Sequence, residues 1–254
     1  MIRFGPAGLG GVKEAISNLE SFKKLGLKAC EIAFTYGVYL SIPEAREIGK
    51  KAEELGIRMS IHAPYWINLN SKEKKKIEES KKRILDCCEV GEAMKAEVVV
   101  FHAGFYSKMD KEQTFQNIKR EVISILEEMK KRKLKIKIAP ETMGKINVFG
   151  SSEEILRLVE ETGCSFCLDF AHLHARSLGK ESYGEICKKF SKFPELHCHF
   201  SGIQYADKGE LKHKFTPDSE IKELLEVLPR SKDIVIINES PDPVGDSVKM
   251  LKTS

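Results

Sequence analysis

No stretch of this 254-residue chain approaches the run of roughly 20 apolar residues that a membrane-spanning helix requires, so no membrane association of that kind is expected. The long apolar core of a secretory signal is lacking too: Met1 to Gly11 offers only Arg3 and a few small residues ahead of the amphipathic Val12 to Leu25. A cytoplasmic location is therefore expected. The 7 cysteines are odd in number and scattered, which is no disulfide framework and suits a reducing compartment. Cys164 and Cys167 form a lone C-x-x-C without a second pair to complete a zinc ribbon, so a packing role is expected for them. Neither sign of charge dominates. The 42 basic and 38 acidic side chains leave +4, and in the run Lys72 to Arg83 the acids Glu73, Glu78 and Glu79 interrupt the lysines, as on a solvated helix face. Bulk charge gives no nucleic-acid affinity here, so a DNA ligand would need basic residues clustered around a site.

Also missing are low-complexity tracts, a Pro/Gly/Ser linker and any break in composition that would divide the chain, which predicts a single domain over 1–254. What recurs is an apolar burst followed by a charged amphipathic segment. The bursts are Ile2 to Phe4, Ala29 to Phe34, Ile57 to His62, Glu97 to His102, Lys135 to Glu141, Ser165 to Asp169, Glu195 to Phe200 and Ile234 to Glu239. Helical periodicity runs through Val12 to Leu25, Pro43 to Leu55, Lys72 to Met94, Lys111 to Lys133, Ser152 to Glu161, Tyr183 to Phe190 and Ser219 to Leu228. Caps are expected at Ser151 or Ser152 and at Asp218 or Ser219, with left-handed ends at Gly26 and Gly56. Eight strands alternating with helices over this length predict an α/β fold, a (β/α)8 TIM barrel. The alternative, an open doubly wound sheet, often carries a phosphate loop after its first strand. Gly5 to Gly11 occupies that place but lacks the G-x-G-x-x-G spacing.

Six of the eight predicted strands end in a residue that can bind a metal: His62, His102, Glu141, Asp169, His199 and Glu239. Alone, each would read as a cap, an ion-pair partner or a hydrogen-bonded core histidine. Together, in strand phase, they converge on the rim where barrels of this class build active sites. Mixed imidazole and carboxylate donors suit zinc, with manganese or iron next. Six donors exceed what one tetrahedral ion takes, which argues for two metals bridged by Glu141 or Glu239. His172, in the loop beyond Asp169, and His213 could hold a third metal. His197 shares the phase of His199 and is a supporting residue, and His174 is expected to be an exposed loop residue.

These residues sit in Ser60-Ile-His-Ala-Pro-Tyr-Trp-Ile-Asn-Leu69, Phe101-His-Ala-Gly104, Glu141-Thr-Met-Gly144 with Phe149-Gly-Ser-Ser-Glu-Glu154, Leu168-Asp-Phe-Ala-His172, His199-Phe-Ser-Gly202 and Asn238-Glu-Ser-Pro241. In that order the set resembles the endonuclease IV family of apurinic/apyrimidinic endonucleases, among the xylose-isomerase-like TIM barrels. The resemblance spans nearly the whole chain. It implies zinc ions and hydrolysis of the phosphodiester 5′ to an abasic site in double-stranded DNA, by hydroxide attack on phosphorus. It implies His62, His102 and Glu141 for a first metal, Glu141, Asp169, His199 and Glu239 for a second, and His172 with His213 for a third. Glu141 and Glu239 are the catalytic carboxylates in this reading, and Tyr65 and Asn68 match positions that touch DNA. A monomer is expected.

Two positions depart from the family pattern. Its third-metal motif is Asp-x-His, but Leu211 stands two before His213, with Glu210 adjacent. Tyr39 lies in the loop where the family has an arginine that fills the gap in DNA. A competing reading needs only Glu141, Asp169, His199 and Glu239 around one divalent metal, the quartet of sugar isomerases and epimerases of the same superfamily. A non-catalytic binding module is a third reading, disfavoured because no ligand of the two-metal core is missing.

Overall fold

A computed structural model describes residues 1–254. Strand and helix alternate as β1 (Ile2–Pro6), α1 (Ala15–Lys24), β2 (Ala29–Ala33), α2 (Ile42–Leu55), β3 (Arg58–His62), α3 (Lys74–Met94), β4 (Val98–Phe101), α4 (Lys111–Lys131), β5 (Lys137–Pro140), α5 (Ser152–Thr162) and β6 (Leu168–Asp169). There follow α6 (Phe170–Arg176), α7 (Tyr183–Lys189), β7 (Glu195–Phe200), β8 (Gly202–Ala206), β9 (Gly209–Lys214), α8 (Asp218–Val227), β10 (Asp233–Asn238) and α9 (Pro243–Thr253). Eight strands make parallel sheets in the orders β1-β10-β7-β6 and β2-β3-β4-β5. Single parallel bridges, Ala7 to Glu31 and Glu141 to Cys167, join the two sheets and close the barrel. This is the predicted (β/α)8 barrel, and no helix is long and apolar enough to cross a membrane.

Local chemistry explains most boundaries. Ser41 and Ser151 each accept the N3 backbone N–H while Glu44 and Glu154 reach back, closing capping boxes at the starts of α2 and α5. Gly56 ends α2 at φ 69°, a conformation that favours glycine. Sixty buried apolar residues form one core, mainly between the strands and the surrounding helices. Burial of that area is the main favourable term in folding.

Three readings are corrected. Asp169 caps a helix directly, its Oδ1 accepting the His172 N–H at 2.7 Å, so His172 and His174 lie on α6 and not in a loop. His174 is half-buried, its ring 5.5 Å from that of Tyr205. The start of α8 carries no side-chain cap from Asp218 or Ser219, because Pro217 occupies the cap position. The segment Ile203 to Lys214, which no apolar burst or helical period marks in the sequence, belongs to an antiparallel hairpin, β8 with β9. Helix α9 was not anticipated either. It begins at Pro243, with Asp242 accepting from the Gly245 N–H.

Candidate metal centre

Period-2 alternation along the strands sends every second side chain into the barrel, and at the C-terminal rim those side chains are the polar ones. Glu141, just past β5, is buried at the centre. Its Oε2 lies 3.1 Å from His62 Nε2 and 3.0 Å from His102 Nε2. Its Oε1 lies 3.2 Å from both His199 Nδ1 and His172 Nδ1. One carboxylate therefore faces four imidazoles from β3, β4, β7 and α6. Four candidate ligand groups result: His62, His102 and Glu141; Glu141, Asp169, His199 and Glu239; His172, Glu210 and His213; and Cys167, His197 and His199, with the donor atoms of each group within 4.8 Å of one another.

Backbone acceptors set the tautomers. A carbonyl oxygen can only accept, so the 2.8 Å contact of His62 Nδ1 with the Ala63 carbonyl places a proton on Nδ1 and leaves Nε2 as the nitrogen that a metal would take. The 2.9 Å contact of His172 Nδ1 with the Thr142 carbonyl does the same for His172. Ser201 Oγ donates to the Gly202 carbonyl and lies 2.6 Å from His213 Nδ1, leaving His213 Nε2 for a ligand. Outer groups that hold the ring and leave one nitrogen bare are the usual support of a metal-binding histidine.

Charge in the cluster calls for a cation. Burial alone would raise the Glu141 carboxyl, but His199 and His102 hold it well below the usual carboxylate range. Burial pushes Asp169 up to about 6, the His172 imidazole working against the rise and Glu141 and Glu239 adding to it. Burial would lower His62, yet Glu141 raises it to about 9. Asp169 Oδ2 is buried with no hydrogen-bond partner, His172 Nδ1 lying 3.3 Å away but not aligned to donate. A buried carboxylate oxygen without a donor is costly, and a divalent ion would satisfy it. The donor set and the orphan oxygen thus fit metal.

Glu210, not Leu211, is turned toward His172 and His213. Along β9 the pairing steps from Glu210, opposite Tyr205, to Lys212, opposite Gln204, so Leu211 is the extra residue of a bulge. In a regular strand, residues three apart face opposite ways; the bulge turns Glu210 and His213 to one side. Glu210 Oε2 sits 3.5 Å from His172 Nε2.

The cleft over these groups measures about 340 Å³ and is lined by residues that include Tyr65, Phe105, Lys145 and Glu239. Tyr65 stands half-exposed, its ring centroid 5.7 Å from that of His102, with the exposed Trp66 beside it. Asn68 lies outside the lining. Its Oδ1 accepts the Asn70 N–H at 3.1 Å and braces the loop after β3. The Tyr39 hydroxyl donates to the Gly10 carbonyl at 3.4 Å. All seven cysteines are buried free thiols, as a packing role for Cys164 and Cys167 requires, although Cys167 also neighbours His197 and His199. Glu31, fully buried on β2, was missed by the sequence reading. Its signal was an acid in the inward phase of the apolar burst Ala29 to Phe34.

Residues 19–253 match the family described as xylose isomerase-like TIM barrel. An uncharacterized protein of Methanocaldococcus jannaschii, MJ0133, is 33% identical over 267 residues, covering 99% of this chain and 96% of that protein. Among solved structures, SacUVDE superposes with a TM-score of 0.77 at 16% identity, over 99% of this chain and 97% of the other. Endonuclease IV from Thermus thermophilus gives 0.73 at 19% identity, over 99% and 100%. D-psicose 3-epimerase with D-fructose gives 0.68 at 17% identity, over 98% and 89%.

Proposed function

The chain belongs to the xylose isomerase-like TIM barrel family, and from that premise we propose that it is a zinc-dependent phosphodiesterase that incises DNA 5′ to abasic sites. Structural neighbours at such low identity share the fold and include both an endonuclease and an epimerase, so the choice rests on the ligand set. The observation that carries it is Glu141 held between two imidazole groups, with a third group of His172, Glu210 and His213 beyond them. The single-metal sugar-enzyme reading leaves the combination of His62, His102, His172 and His213 unexplained. The motif resemblance points the same way, to an abasic-site duplex as substrate.

Bound divalent metals would ease deprotonation of water and offset charge on the phosphoryl oxygens. The chain's own residues do the rest. Glu141 offers Oε2 to one group and Oε1 to the other, fixing their spacing. Glu239, part-exposed at the mouth, completes the second group from the side that a substrate enters. Lys145 supplies a cation for a phosphate, and Tyr65 offers a ring face for a nucleotide taken out of its stack. Manganese or another divalent ion would fit the same donors.

The second reading, ketose epimerisation around one metal, is favoured by the completeness of Glu141, Asp169, His199 and Glu239 as a quartet. Elemental analysis of purified protein, together with incision of an abasic-site duplex and a ketose panel, separates the two. The phosphodiesterase reading expects two to three zinc per chain and one cut 5′ to the lesion, lost on chelation. One metal per chain, an intact duplex and ketose turnover would establish the other.

A further inference from the structure

Below the rim, where barrel interiors are ordinarily packed with branched apolar side chains, lies a second polar layer that no metal group uses in full. Its centre is Glu31. Ser60 Oγ donates to Glu31 Oε2 at 2.7 Å, and His197 Nε2 lies 3.2 Å from the same oxygen. Glu31 Oε1 stands 3.0 Å from His199 Nε2, misaligned for a hydrogen bond, and neither atom has another partner. Two buried groups of opposite role thus face each other. A carboxylate fully removed from water is costly and persists where its surroundings hold it.

We infer that Glu31 is a positioning residue for the metal centre: its carboxylate, standing beside His199 Nε2, holds the ring proton on that nitrogen by its charge and so commits His199 Nδ1 to the ligand group of Glu141, Asp169 and Glu239. The geometry divides the ring between its two neighbours. Nδ1 faces Glu141 Oε1 at 3.2 Å and Glu239 Oε1 at 3.4 Å, while Nε2 points down the barrel to Glu31. Every other candidate imidazole with an assigned proton uses a carbonyl or hydroxyl for this purpose. His199 alone has a carboxylate, the strongest acceptor of the three. Ser60 and His197 hold that carboxylate still, and Ser60 precedes His62 in the inward phase of β3, which ties the two ligand groups to one strand. Register places Glu31 opposite Ser60 and opposite Ala7, at the seam that closes the barrel.

This inference rests on His199 being a metal ligand, which the phosphodiesterase and epimerase readings share. The test uses the full chain labelled with 15N-histidine and loaded with zinc, beside Glu31→Gln. In the wild type, His199 is expected to retain a slowly exchanging, downfield Nε2 proton with Nδ1 on the metal. In Glu31→Gln that proton should move upfield and exchange faster, and zinc at the second group should bind about 10–100-fold more weakly, with zinc at His62 and His102 retained. A merely structural Glu31 would lower thermal stability and leave the His199 signal unchanged, which overturns the inference, as does zinc on Nε2 in the wild type. Should Glu31→Gln not fold, the wild-type spectrum still decides. Wild-type protein that takes up no zinc overturns the metal centre itself, a distinct failure.

Discussion

Glu210 Oε2 lies 3.5 Å from His172 Nε2, while Leu211, its neighbour in sequence, is 56% exposed. The bulge at Leu211 trades one spacing for another, Glu-x-x-His with an extra residue in place of a two-residue step. A carboxylate of one more methylene on the bulged strand then reaches the same imidazole.

The consequence for metal content is direct. Glu210→Ala should weaken the outermost metal by at least about tenfold, the smallest loss typical of even an outer support, while the two inner groups stay loaded. Adding Leu211→Asp should not restore it, because that side chain points to solvent. Zinc titration with a competing chelator measures both. Recovery in the double variant would mean that Leu211 faces the cleft.

Glu141→Gln tests the centre. The amide keeps the volume and one acceptor but loses the charge that faces four imidazoles. Loss of at least two of the metals is expected, with incision reduced by on the order of 10²–10³-fold or more, the scale for losing one preorganised electrostatic partner. Retained metal with near-normal incision would move the bridging role to Glu239.

Tyr65→Ala addresses substrate binding without touching the metals. The ring is half-exposed above His62 and His102 and accepts no buried hydrogen bond. Stacking on a base is worth about 1–3 kcal/mol by alanine substitution, so affinity for an abasic duplex should fall about 5–150-fold with zinc content unchanged. Fluorescence anisotropy with a labelled duplex reads this. Equal affinity in variant and wild type would return Tyr65 to a packing role.

Much of this was legible in the sequence because the barrel repeats itself. Six of the eight strands carry a candidate ligand at the same end, so His62, His102, Glu141, Asp169, His199 and Glu239 announce one rim by position alone. Glu31 escaped because it lies in the middle of its strand, where an acid between Cys30 and Ile32 resembles an isolated irregularity until Ser60 and His197 are seen around it. The hairpin β8–β9 escaped for another reason: its polar, mostly exposed strands bury one face only at Gly202, Ile203 and Gly209, so no apolar burst marks it. Helix α6 was hidden by its brevity, and by Asp169 serving as strand end, cap and candidate ligand at once.

The opposite end of the barrel carries the last prediction. Arg58 pairs with Glu97 and lies 2.6 Å from Asp233 Oδ2, and Arg3 shares that aspartate. Burial alone would raise the Asp233 carboxyl, but hydrogen bonds from Arg3 and Arg58 hold it below its ordinary value. A depressed carboxyl contributes stability that is complete above its unfolded pKa of about 3.9 and is lost as pH falls through the lower folded value. Arg58→Met should therefore cost about 1–2 kcal/mol at neutral pH, the sum of two part-exposed pairs. The deficit should shrink as pH falls below about 4, since the wild type then loses its share of the Asp233 contribution. Urea unfolding of both proteins from about pH 7 down to about pH 3 measures the difference. A deficit that stays constant across that range would assign the loss to packing of the Arg58 stem, because packing does not titrate.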